Sequence, residues 1–126
     1  MLGDYPVIAM IATTQPERAK AFYCEVLGLK LVEDGWFALV FTAGGTRLHI
    51  QKVKQFSPVP FTALGWAVPD IGATVAKLAK MGVKFERYKE MPQDDAGIWM
   101  TPDRAKVCWF KDPDGNTLSL TQFPSK

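Results

Sequence analysis

The stretch Thr13 to Leu31, TTQPERAKAFYCEVLGLKL, decides how the rest of the chain is read. It is a helix running into a strand. Pro16 suits a first helical position, because its fixed φ fits the helix and its missing N–H would have had no partner there. Ala19, Phe22, Tyr23, Val26 and Leu27 recur at helical spacing, so one face of the helix is apolar. Gly28 then ends it as a left-handed cap, and Leu29 to Leu31 leads out as a strand. The stretch Pro69 to Phe85, PDIGATVAKLAKMGVKF, repeats this plan. Asp70 is the N-cap candidate, Ile71, Val75, Leu78 and Ala79 form the stripe, Gly82 is the stop and Val83 to Phe85 is the strand that follows.

Working outward, a strand precedes each helix: Val7 to Ala12 and Ala63 to Val68. Strands also follow: Trp36 to Phe41 and Arg47 to Gln51 after the first helix; Ile98 to Met100, Lys106 to Phe110 and Thr117 to Phe123 after the second. The chain is therefore an α+β protein with an internal duplication of a βαβββ module. Module one covers about 5–53, a proline-containing connector about 54–61, and module two about 62–124, together forming a single domain over 1–126. The loop Glu90 to Gly97 reads as a mobile flap. In Asp112 to Asn116, DPDGN, the carboxylates read as turn chemistry rather than as an acid pair, since Pro presets one turn dihedral and Asp-Gly tolerates the others.

Composition narrows the classes of function. A formal net charge of +2, with Lys and Arg scattered, lacks the basic stripe of a nucleic-acid binder. No apolar run is long enough to cross a bilayer, and the first residues carry an acid and no basic segment, unlike a secretory leader. Cys24 and Cys108 are too few for a disulfide framework. They read as buried free thiols of a cytoplasmic protein.

Strand alternation separates two faces. Leu48 and Ile50 oppose Arg47, His49 and Gln51. Leu118 and Leu120 oppose Thr117, Ser119 and Thr121. Leu64, Trp66 and Val68 oppose Ala63, Gly65 and Ala67. The bulky face belongs under the helices. The polar and small face is either solvated surface, as is usual for an uncovered sheet, or the lining of a concave pocket.

The segments Ala21 to Asp34, AFYCEVLGLKLVED, and Phe110 to Leu120, FKDPDGNTLSL, taken with the duplicated module, resemble the vicinal oxygen chelate superfamily of glyoxalase I, bleomycin-resistance proteins and extradiol dioxygenases. The resemblance implies two modules forming a curled, open-barrel mixed sheet, helices on the outer face, a cavity, and a homodimer. It also implies a divalent metal held by one side chain from each of four strands. Those positions fall on Ile8, His49, Ala63 and Ser119, where the family pattern calls for His or Glu. Only His49, the single histidine of the chain, conforms. One imidazole and one hydroxyl cannot hold a catalytic metal, for which open sites generally need about three protein ligands. No cofactor is therefore expected.

The first expectation is metal-independent binding of a small, aromatic or planar molecule, with possible roles in sequestering a drug or toxin. Its contacts would be His49, Arg47, Gln51, Ser119, Thr117, Thr121 and Arg104, with Trp36, Trp99 and Trp109 as stacking candidates. The alternative is a glyoxalase- or dioxygenase-like enzyme. It would use His49 as a general base, or an atypical divalent-metal site recruiting Asp94 or Asp95. A protein-interaction module ranks last. No nucleic-acid or membrane partner is expected.

Overall fold

A computed structural model describes residues 1–125. By contacts the chain divides into two compact units, one over Met1–Pro58 and one from Val59 onward. Unit one runs β1 (Ile8–Thr13), α1 (Pro16–Ala21), β2 (Lys30–Asp34), β3 (Ala38–Ala43) and β4 (Thr46–Lys52). Unit two runs β5 (Thr62–Ala67), α2 (Ile71–Lys80), β6 (Trp99–Met100), β7 (Lys106–Lys111) and β8 (Thr117–Gln122). The sheets have the same plan, β1-β4-β3-β2 and β5-β8-β7-β6. In each, the first strand pairs parallel with the last and the other pairings are antiparallel. The fold is thus α+β, with two four-stranded mixed sheets and the duplication expected of the sequence.

In unit one, α1 gives way to a π-helical turn over Phe22–Val26, and Gly28 takes the left-handed φ of +75° that ends it. This turn delivers the fully buried Tyr23 ring to within 5.8 Å of Phe41. Ala19, Leu29, Leu39, Phe41, Leu48 and Ile50 complete the core on the helix side. Burying each large side chain is worth about 1.5–3 kcal/mol. In unit two, Asp70 caps α2 by accepting from the Ala73 amide at 3.0 Å. Gln122 Oε1 accepts a second free amide, Ile71 N, at 2.9 Å, which ties the helix start to β8. Ile71, Val75 and Leu78 are buried, as are Cys108, Phe110, Leu118 and Leu120 on the helix-facing side of the sheet.

Three expectations need correction. Trp36 and Phe37 do not open β3: they are consumed in closing the hairpin, where the Gly35 amide donates to the Ala38 carbonyl at 3.0 Å, and Trp36 stands 91% exposed. Val83 to Phe85 is not a strand, and only Phe85 bridges to Phe110. The edge of β7 is then abandoned for an excursion and regained by Trp99–Met100. Finally, Cys24 is half-buried, and only Cys108 is a buried thiol.

That excursion, read from sequence as a flap, is anchored. Gln93 accepts from the Tyr88 amide at 2.7 Å and donates to the Glu86 and Gly97 carbonyls at 2.9 and 2.8 Å. The Arg87 guanidinium donates to the carbonyls of Asp94 and Asp95. No helix among the described residues is long and apolar enough to cross a membrane.

Candidate functional site

Register puts the sequence-derived candidates on the side of each sheet away from its helix. In unit one, His49 stands between Met10 and Val40, Gln51 between Ala12 and Ala38, and Arg47 between Ile8 and Thr42. Ala38 and Val40 are buried, whereas Ile8 and Met10 on the edge strand are 48% and 54% exposed. His49 Nε2 is buried and has no hydrogen-bond partner among the described residues. A polar atom in that condition costs about 1–3 kcal/mol, which a partner would recover. Trp36 lies beyond the end of this face, against Phe37 with ring centroids 5.6 Å apart.

In unit two, Ser119 stands between Gly65 and Trp109, Thr121 between Ala67 and Val107, and Thr117 between Thr62 and Lys111. Ser119 and Thr117 are buried. The Ser119 hydroxyl occupies space that only glycine leaves open: a Cβ on Gly65 would meet Ser119 Oγ at 2.6 Å. Trp99 faces the same way through its pairing with Val107, and it stacks on Trp109 at 6.3 Å with the planes 28° apart. Tyr88 also meets Trp109, with the ring planes nearly perpendicular, at 5.4 Å and 82°. The Trp109 Nε1–H donates to Thr62 Oγ1 at 3.1 Å, which fixes the indole. Burial pushes the Tyr88 hydroxyl pKa upward, with a smaller push from the Glu86 carboxylate. Arg104 lies at the Trp99 end of this sheet, away from Thr117. It sits exposed in the turn between β6 and β7, at a φ of 71°, near the end of the sheet where Lys106 meets Gln122.

A cleft of about 300 Å³ opens beside Trp109 and Thr117, with Phe61, Thr62, Tyr88, Glu90 and Met91 among its other walls. These last residues escaped the sequence reading. Phe61 comes from the connector, Thr62 from the first position of β5, and Tyr88, Glu90 and Met91 from the irregular excursion, which carries no periodicity to assign a face.

The four positions that the sequence resemblance assigns to metal ligands do not suit a metal. Ile8 and Ala63 carry no donor atom, Ser119 offers a neutral hydroxyl, and only His49 offers a good ligand. In addition, β5 carries an irregularity between Thr62 and Leu64, so Ala63 falls outside the regular register. Among the described residues no group of three or more His, Cys, Asp or Glu side chains is placed to hold a metal. Asp94 is engaged as well: its Oδ1 accepts from the Ala96 and Ile98 amides, both at 2.9 Å. Asp112, in the DPDGN turn, likewise accepts from the Asp114 and Asn116 amides and from the Asn116 side chain, each at 2.9 Å.

Two modules of one strand order, each with a polar or small-residue face turned from its helix, define a tandem βαβββ protein of the vicinal oxygen chelate type. The chain belongs to the glyoxalase/bleomycin resistance protein/dioxygenase superfamily, whose family model matches residues 6–120. It is 31% identical over 142 residues to the uncharacterized protein YaeR of Escherichia coli (strain K12), covering 95% of this chain and 98% of YaeR. A superfamily member from Sphaerobacter thermophilus aligns with a TM-score of 0.74 at 24% identity, over 94% of this chain and 96% of that one. Lactoylglutathione lyase from Agrobacterium tumefaciens aligns with a TM-score of 0.72 at 14% identity, over 92% of each chain. These two structural likenesses speak to the fold.

Proposed function

We propose that the chain binds a small planar or aromatic molecule, and that it does so without a metal held by its own side chains. The observation that carries this reading is the aromatic and hydroxyl face of unit two, where Trp99 and Trp109 stack beside Ser119, Thr117 and Thr121. Rigid indoles supply large apolar contact at little entropic cost, and a few hydroxyls fix orientation. On unit one, taken by itself, His49 Nε2, which has no partner among the described residues, is a separate candidate contact, with Arg47, Gln51 and Trp36 flanking it. Arg104 is the weakest member, since its turn lies at the far end of the sheet from Thr117. Sequestration of a drug or toxin by a cytoplasmic homodimer is the wider form of this reading, and it rests on the family.

The test is a titration of planar aromatic compounds followed by tryptophan fluorescence. Trp109→Leu is expected to weaken binding by about tenfold, the size of effect a stacking contact of about 1.4 kcal/mol gives. A Trp109→Leu protein that binds like the parent would overturn the assignment.

The same unpaired imidazole nitrogen supports a second reading, a lyase, isomerase or oxygenase in which His49 is a general base. In that case His49→Gln abolishes turnover while ligand is still bound. An interaction module for another protein stands behind both.

A further inference from the structure

We infer that the cleft beside Trp109 recognises an alkylated ammonium group. This rests on the small-molecule reading of the same face and adds a second feature to the ligand, a cationic group seated in the cleft beside its planar part. The cleft, about 300 Å³ in volume, is walled by Phe61, Tyr88, Met91 and Trp109. It is the right scale for one compact headgroup. Tyr88 and Trp109 stand nearly perpendicular, with ring centroids 5.4 Å apart, so they make a corner rather than a flat slot.

The Trp109 ring is held before any ligand arrives: its indole N–H is committed to Thr62 Oγ1 and its ring stacks on Trp99. The Tyr88 backbone is tied to the excursion by its N–H, which donates to Gln93 Oε1 at 2.7 Å. Aromatic rings carry negative potential on their faces and attract cations there.

Charge points the same way. Among the described residues, Glu90 is the sole charged one lining the cleft. Lys111 lies on the same face as Trp109, two residues along β7, but its ammonium is 3.9 Å from Glu86 and it does not line the cleft. An aromatic corner with one carboxylate suits a cation whose charge is spread over alkyl groups. Such a cation sheds water readily, whereas a primary ammonium is compact and strongly hydrated.

The experiment uses the full chain and three probes: choline; 3,3-dimethylbutan-1-ol, its neutral isostere; and indole, a neutral planar compound. The readout is the Trp109 side-chain N–H resonance, assigned with Trp109→Phe. Choline is expected to move it and to bind at least about threefold tighter than the isostere, the lower range of a cation–π contact. Glu90→Gln, a change at an exposed site, is expected to weaken choline about threefold and to leave the isostere unchanged. Equal affinity for choline and isostere, or a Glu90→Gln protein with unaltered choline affinity, overturns the inference. If indole moves the Trp109 resonance and choline does not, the cation inference fails and the planar-ligand reading stands. If neither moves it, both fail.

Discussion

His49 is the residue at which binding and folding pull apart. Its Nε2 is buried without a partner among the described residues, a cost carried by the folded protein. Removing the polar atom should therefore help the unliganded protein. His49→Leu is expected to leave the thermal midpoint unchanged or to raise it, while weakening ligand by about tenfold, equivalent to one hydrogen bond of about 1.4 kcal/mol. Paired melting and binding measurements check this, and a variant that both melts lower and binds normally would contradict it. Ser119 and Gly65 form a second residue-scale dependence. Gly65→Ala places a methyl 2.6 Å from Ser119 Oγ, so the hydroxyl must rotate away or the strand must shift. Such overpacking costs about 1–3 kcal/mol, read as a lower denaturant midpoint. Cys108 offers a control on burial. Its thiol pKa is pushed up to about 12, chiefly by burial. It should stay unmodified by thiol reagents at pH 8 until the protein is unfolded.

At the scale of elements, the sequence was legible wherever local chemistry dominates. Asp70 caps α2 as its position before the apolar stripe suggests, and Gly28 and Gly82 take the positive φ that their stop positions require. Asp70→Ala should cost about 1 kcal/mol of stability with ligand affinity unchanged, measured by denaturant unfolding and titration together. Legibility failed where long-range contacts decide. Val83 to Phe85 has the composition of a strand, yet the chain leaves β7 after one bridge because Arg87 and Gln93 bind the excursion to itself. Trp36 and Phe37 have strand-forming side chains but sit where a hairpin must close. The ion cluster of Lys20, Asp34 and Lys52 joins α1, β2 and β4, and no sequence period announces it. Lys52, then Lys20, hold the Asp34 carboxyl below its ordinary range. A lowered carboxylate pKa contributes stability that is present above the unfolded value and lost as pH falls through the folded one. The melting difference between parent and Asp34→Asn should therefore shrink toward zero on acidification. It should also be small throughout, since these side chains keep partial contact with solvent, at 23% and 33% exposure for Lys52 and Asp34, which screens the pair.

For the whole molecule, duplication is the governing fact. Two copies of one strand order arise from one helix-to-strand pattern repeated in sequence, and that repeat was readable before any coordinates. Part of the candidate site was readable as well, because alternation alone puts His49 and Ser119 on the faces turned from the helices. The cleft walls from Phe61 and Tyr88 were not, because irregular backbone has no period. The fold is that of the superfamily, while Ile8, Ala63 and Ser119, where the resemblance implies metal ligands, offer two side chains without a donor and one neutral hydroxyl. The most direct measurement is a calorimetric titration of a planar aromatic ligand into chelator-treated protein, repeated after addition of zinc, nickel, manganese or ferrous ion. The account predicts the same affinity and stoichiometry with and without metal. Binding or turnover that appears only when about one metal per chain is tightly held would contradict it.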